Sequence, residues 1–159
     1  MPQSRRRSAP ELLQLTIPGL LQRHPVLPAR YTCRGRGISP PLRWSPLPGA
    51  VGYALVVSRV AAPARRAVHW AVTHIPRQTT SLRAGEVPKV AVVHANDFGK
   101  RAYRAPCPHG SPERYEFVLY ALVRHPRPKI RASVPPAALP DILDCCERGL
   151  GLLEVTARP

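Results

Sequence analysis

Two apolar, β-branched runs, each closed by a proline, constrain this chain more than any other feature. Val51–Val60, VGYALVVSRV, ends before Pro63, and Ala67–Ile75, AVHWAVTHI, ends at Pro76. Branched side chains are stiff in a helix and pack well on a pleated surface, so both runs read as buried strands. Simple alternation along the second puts Val68, Trp70, Val72 and His74 on one face, and His69, Ala71, Thr73 and Ile75 on the other. Tyr115–Val123 is a further strand, alternating at first and then continuously apolar. Leu42 and Trp44 flank Arg43 as a short strand signal, Lys89–His94 reads as another, and Leu152–Thr156 as the last.

Helical spacing is clear in one place. Leu139, Ile142, Leu143, Cys146 and Leu150 recur at three- and four-residue steps, so a helix is expected over Leu139–Arg148, closed by Gly149 and Gly151. Glu11–Leu15 is a short amphipathic stretch, and the basic residues 1–10 are expected to be disordered. The remainder, 11–159, reads as a single domain. Several strands with one late helix point to a mainly β, antiparallel fold.

The 159 residues carry 24 Lys+Arg against 9 Asp+Glu, a net charge of +15. That balance predicts nonspecific polyanion binding at low salt, and a basic nucleic-acid-associated protein is one alternative function. The excess is spread over the first ninety residues with no lysine-rich tail, which fits a solvated basic surface better than a phosphate-tracking face. No run reaches the roughly 18 apolar residues of a membrane span. Glu11, Gln14 and Pro18 break up the N-terminal apolar stretch, so a signal peptide is rejected and a cytoplasmic location is expected. Cys33, Cys107, Cys145 and Cys146 show no C-x-x-C spacing, which argues against a metal site. Free thiols are expected of all four in a cytosolic protein, and Cys145 and Cys146, being adjacent, do not pair easily. No Ser/His/acid set, Cys/His set or paired carboxylates are evident. A non-enzymatic role without a cofactor is therefore expected.

Asn96–Pro112 is a loop of prolines, glycines and small polar residues ahead of the Tyr115 strand, and loops on rigid sheets often carry function. Four blocks of sequence then stand in a familiar order: YTCRGRGISPPLRW at Tyr31–Trp44, VHWAVTHIP at Val68–Pro76, NDFGKRAYRAPCPHG at Asn96–Gly110 and ERYEFVLYAL at Glu113–Leu122. Together they resemble the phosphatidylethanolamine-binding proteins, in particular the bacterial Raf kinase inhibitor-like branch. The resemblance implies an antiparallel β-sandwich with a helix near the C-terminus. It also implies a pocket for a small anion, a phosphate or a phospholipid head group, and a protein partner such as a kinase or protease that the chain would inhibit. His69 and Tyr115 match the family's pocket residues, and Pro63, Pro106 and Pro108 match its loop prolines.

The departures fall on the same pocket. Arg59-Val60-Ala61-Ala62-Pro63 stands where the family has D-P-D-A-P, and Glu113 replaces the His of H-R-Y. Arg34 replaces an Asp and Ala105 a Gly. The lost acid at Arg59 removes the expected orienting partner of His69, and a cation there disfavours imidazolium. Arg59 and Glu113 either pair across the pocket mouth or both point to solvent. A pocket that still takes an anion would use Arg59, His69 and Tyr115, with Glu113 opposing. A scaffold with a degenerate pocket is the other alternative. Asp97 is expected to cap loop amides, Gly99 to supply a turn, and Trp44 and Tyr103 to be wall residues.

Overall fold

The computed structural model describes residues 8–20, 23–61, 65–126 and 134–159. Residues 1–7 of the basic N-terminus, the 62–64 segment with Pro63, and most of the connector before Pro135 lie outside the described residues.

Four long strands form the frame: β4 (Gly52–Ala61), β5 (Arg65–Pro76), β8 (Glu113–Leu122) and β9 (Glu147–Ala157). Short strands complete it: β1 (Glu11–Leu13), β2 (Leu15–Thr16), β3 (Leu42–Trp44), β6 (Ser81–Leu82) and β7 (Val92–Val93). A six-stranded sheet runs β1-β9-β8-β4-β5-β7, and a three-stranded sheet runs β2-β3-β6. Every pairing is antiparallel except that of β1 with β9. The fold is thus mainly β, with open sheets and one short helix near the C-terminus.

Alternation sorts the side chains into two cores. Tyr53, Leu55, Val57, Phe117 and Leu119 of the large sheet pack with Leu15, Leu42, Trp44 and Leu82 of the small one. Full burial of such a side chain contributes about 1.5–3 kcal/mol. On the other face, Ala54, Val56, Ala71 and Tyr120 are covered by Leu139 and Leu143 of helix α1 (Leu139–Asp144).

Several readings of the sequence need correction. The helix stops at Asp144, and the strand expected from Leu152 begins at Glu147. The second edge of β8 requires a partner, and pairing from Glu113↔Ala157 to Leu122↔Glu147 takes the residues that helical spacing had claimed. Gly149 and Gly151 serve close packing there: a Cβ on Gly149 would sit 3.2 Å from Leu47 Cδ2 and 3.3 Å from Ala121 Cβ. The Lys89–His94 strand shrinks to Val92–Val93, and the Glu11–Leu15 stretch divides between the two sheets as β1 and β2. Finally, the faces of β5 do not follow simple alternation. Val57 pairs with Trp70 but Ser58 with Val68, leaving His69 as an extra residue in a β-bulge. A second bulge, between Val72 and Ile75, holds His74 at φ 59°. Trp70, Val72 and Ile75 therefore share one core, and Val68 and Ala71 the other.

Candidate functional site

The bulge explains why a histidine and a tryptophan can be neighbours in sequence yet face one side of a sheet. Trp70 stays in the core between the sheets, and the extra residue His69 turns its ring against Tyr115 of β8, with centroids 5.0 Å apart and planes at 88°. His69 and Tyr115 are both nearly fully buried. Tyr115 pairs with Arg59 across β4 and β8, so those two side chains lie on the same face. Glu113, two residues back along β8, joins them. Its Oε1 accepts from Arg59 Nη1 at 3.1 Å, and its Oε2 accepts from the Tyr115 hydroxyl at 2.8 Å. The four residues form one chain of contacts: Arg59, Glu113, Tyr115, His69.

Arg59 and Glu113 therefore pair, and neither is left to solvent alone. The side chains are 41% and 25% exposed and meet through one nitrogen, so the pair is neither buried nor bidentate. Its worth to stability is about 0–1 kcal/mol.

His69 does not lack an orienting partner, contrary to expectation. Its Nδ1 lies 2.8 Å from the Arg104 carbonyl oxygen, and because a carbonyl can only accept, Nδ1 carries the proton. In the neutral ring, Nε2 then keeps its lone pair. The Arg104 N–H returns a bond to the His69 carbonyl at 2.8 Å. Burial lowers the His69 pKa from its ordinary 6.5, the Arg104 carbonyl opposes that shift, and Arg59 adds to the lowering. Burial and the bond to Glu113 push the Tyr115 hydroxyl pKa up, so it stays a donor.

The Asn96–Pro112 loop is fastened to β5 at this point. Asp97 Oδ2 accepts from the Val68 N–H at 2.6 Å, a strand amide and not the loop amides expected of it. The loop amides belong to Asn96, whose Oδ1 accepts from Phe98 and Lys100 N–H. Gly99 makes the turn at φ 77°. Phe98 stands edge-on to His69 at 5.0 Å, with the Arg104 guanidinium 4.8 Å above its ring. Pro106 and Pro108 are buried on either side of Cys107. Pro63 falls outside the described residues.

Cys107 corrects the free-thiol expectation: it is joined to Cys33 by a disulfide, with Cα atoms 5.2 Å apart. The Cys33 N–H also donates to the Pro106 carbonyl at 2.9 Å, so the proline loop is held against the Tyr31–Gly37 turn. The structure also pairs Cys145 with Cys146. Trp44 is a buried wall residue, and Tyr103, edge-on to Trp70, donates its hydroxyl to the Tyr31 carbonyl at 2.9 Å. Arg104, Asn96 and Phe98 were missed as site residues. Asn-Asp opening a Gly turn was the available signal for Asn96, whereas nothing local marks the Arg104 carbonyl.

Two cavities lie elsewhere. One of about 200 Å³ is lined by Leu13, Ile17 and Leu152, and one of about 280 Å³ by Tyr53, His74 and His125. Among the described residues no cluster of three His, Cys, Asp or Glu could hold a metal, and no helix is long and apolar enough to cross a membrane.

A family model described as phosphatidylethanolamine-binding protein matches residues 21–156. A UPF0098 protein of Methanothermobacter thermautotrophicus is 39% identical over 127 residues, 76% of this chain and 81% of that protein. A UPF0098 protein of Mycobacterium bovis is 37% identical over 139 residues, 83% of this chain, but the match spans only 63% of that relative's length. The crystal structure of a phosphatidylethanolamine-binding protein homologue from Chlamydia trachomatis superposes with a TM-score of 0.80 at 28% identity, covering 94% of this chain and 99% of that one. YbcL of Escherichia coli shares the fold, with a TM-score of 0.79 at 24% identity over 92% of this chain and 98% of that one.

Proposed function

The chain belongs to the phosphatidylethanolamine-binding protein family, and on that premise we propose that it binds a small phosphate-bearing ligand where Arg59, Glu113, Tyr115 and His69 meet. One observation carries the reading: Glu113 occupies the Arg59 guanidinium and the Tyr115 hydroxyl with its two oxygens. A carboxylate seated on two donors marks where another oxyanion can sit. A phosphate that displaces it takes a charge-assisted bond from Arg59 and a hydroxyl bond from Tyr115. His69, holding its proton on Nδ1, offers Nε2 as an acceptor, which suits a phosphate that keeps one P–O–H or a head group that carries an ammonium.

The proposed role is binding without catalysis. Glu113 is engaged at both oxygens, so no free carboxylate stands beside His69 to complete an acid–base pair. A protein partner, such as the kinase or protease the family resemblance implies, would meet the same mouth through its own phosphate or carboxylate groups.

The test is a titration with phosphate, phosphoethanolamine and acetate, followed through the His69 ring resonances. Saturable shifts with the two phosphates and weaker ones with acetate support the reading. Silence at His69 throughout would leave a retained scaffold whose pocket has closed.

A further inference from the structure

The second bulge of β5 lines a cavity of about 280 Å³ at the far end of the large sheet. Gly52 pairs with Pro76 and Leu122 there, whereas Arg59 pairs with Tyr115 at the His69 end. Seven residues of β4, about 23 Å at the strand rise, separate the two places. Tyr53, Ile75 and Leu122 line the cavity and are buried. The Tyr53 hydroxyl accepts from the Leu47 N–H at 3.1 Å, leaving its ring to contribute apolar surface. Val51 and Val90 line it too, yet stay 38% and 67% exposed, so large apolar side chains that face water stand at one opening. His74 and His125 supply imidazoles to the wall. His74 sits at φ 59°, a left-handed backbone that favours glycine, and such strain is kept mainly at functional positions. Its Nδ1 lies 2.9 Å from Thr73 Oγ1, which lies 2.7 Å from Nε2 of the fully buried His94. The Thr73 hydroxyl has one proton, so it donates to one ring and accepts from the other, and the His74 ring is anchored to the interior.

We propose that this cavity is a second binding site, for a small carboxylate with an apolar body. Charge selects the carboxylate. No Asp or Glu lines the cavity among the described residues, while Arg77, Lys89 and Arg124 are the sequence neighbours of its lining residues Pro76, Val90 and His125. That field favours an anion over a cation. A neutral imidazole keeps one N–H donor and a charged one two, so a carboxylate finds a donor on the wall in either form. The rest of the lining selects the body. Tyr53, Ile75 and Leu122 leave little for a fully polar ion, and a bare phosphate would lose water there without a matching set of donors. A hydrocarbon group instead leaves water and covers Val51 and Val90 as it enters. Pockets for drug-sized ligands run from about 300 to 1,000 Å³, so the ligand is smaller than those. The inference does not require the His69 site to be competent.

The test is a titration of the full chain with phenylacetate, followed through the ring resonances of its histidines. Shifts at His74 and His125 should saturate on one curve that His69 does not follow. Phenylethylamine, a similar body with a cationic end, should move neither ring. His74→Asn keeps a residue that tolerates left-handed backbone and should weaken phenylacetate binding about tenfold, the scale of one hydrogen bond to a charged group. Val90→Asp places a carboxylate at the exposed rim, away from the core, and should weaken binding severalfold, with the isosteric Val90→Asn costing far less. Absent or unsaturable shifts at His74 and His125 would overturn the proposal. So would phenylethylamine binding as well as phenylacetate, or Val90→Asp binding as well as Val90→Asn. Inorganic phosphate, titrated separately, should move His69 and leave His74 and His125 in place, so failure of this site and failure of the phosphate site are read on different histidines.

Discussion

His69 shows at the scale of one residue how burial and a single carbonyl set a side chain's chemistry. Its pKa is lowered from 6.5 chiefly by burial. The unfolded chain therefore takes up a proton before the folded one does. The stability held by neutral His69 is fully present above about 6.5 and is lost as pH falls through that value toward the lower folded pKa. Urea unfolding at a series of pH values should show this loss, and His69→Asn should flatten it. Glu113→Gln tests the bridge. The amide still accepts from the Tyr115 hydroxyl, but the charge that competes for Arg59 is gone, so phosphate affinity should rise about tenfold, roughly 1.4 kcal/mol. The same substitution should cost less than about 1 kcal/mol of stability, because the pair is partly exposed. Calorimetric titration and denaturant unfolding read the two effects. His69, Tyr115, Arg59 and Glu113 were legible as candidates because they fall on quoted motifs. The Arg104 carbonyl was not, because a backbone acceptor leaves no trace in residue type.

At the scale of elements, strands were legible and their details less so. β4 and β5 announced themselves through β-branched runs with proline stops, and β3 and β8 through apolar alternation. The two β5 bulges did not, since an extra residue changes facing without changing composition, and one of them aims His69. The helix was overextended because Leu139–Leu150 carries helical spacing while its second half is claimed by β8. Gly149 tests that reassignment. Gly149→Ala should destabilise by about 1–3 kcal/mol in denaturant unfolding, through overpacking against Leu47 and Ala121. The disulfide is the other element that local pattern could not disclose, for it joins residues 74 apart. Cys33→Ser with Cys107→Ser should lower stability by about 2–5 kcal/mol in thermal unfolding.

Across the whole molecule, two sheets and a disulfide place the His69 site beside two loops rich in arginine and lysine. The pairing of Cys33 with Cys107 also bears on location, since disulfides persist mainly in oxidising compartments. Alkylation of the chain in intact cells would show which state it holds. The central claim is that a phosphate takes the seat Glu113 now fills, and a crystal soaked in phosphate tests it most directly. Tetrahedral density bonded to Arg59 and the Tyr115 hydroxyl, beside His69 Nε2 and with the Glu113 carboxylate displaced, is the expected result. An undisturbed Arg59–Glu113–Tyr115 bridge, with no density at His69, would contradict it.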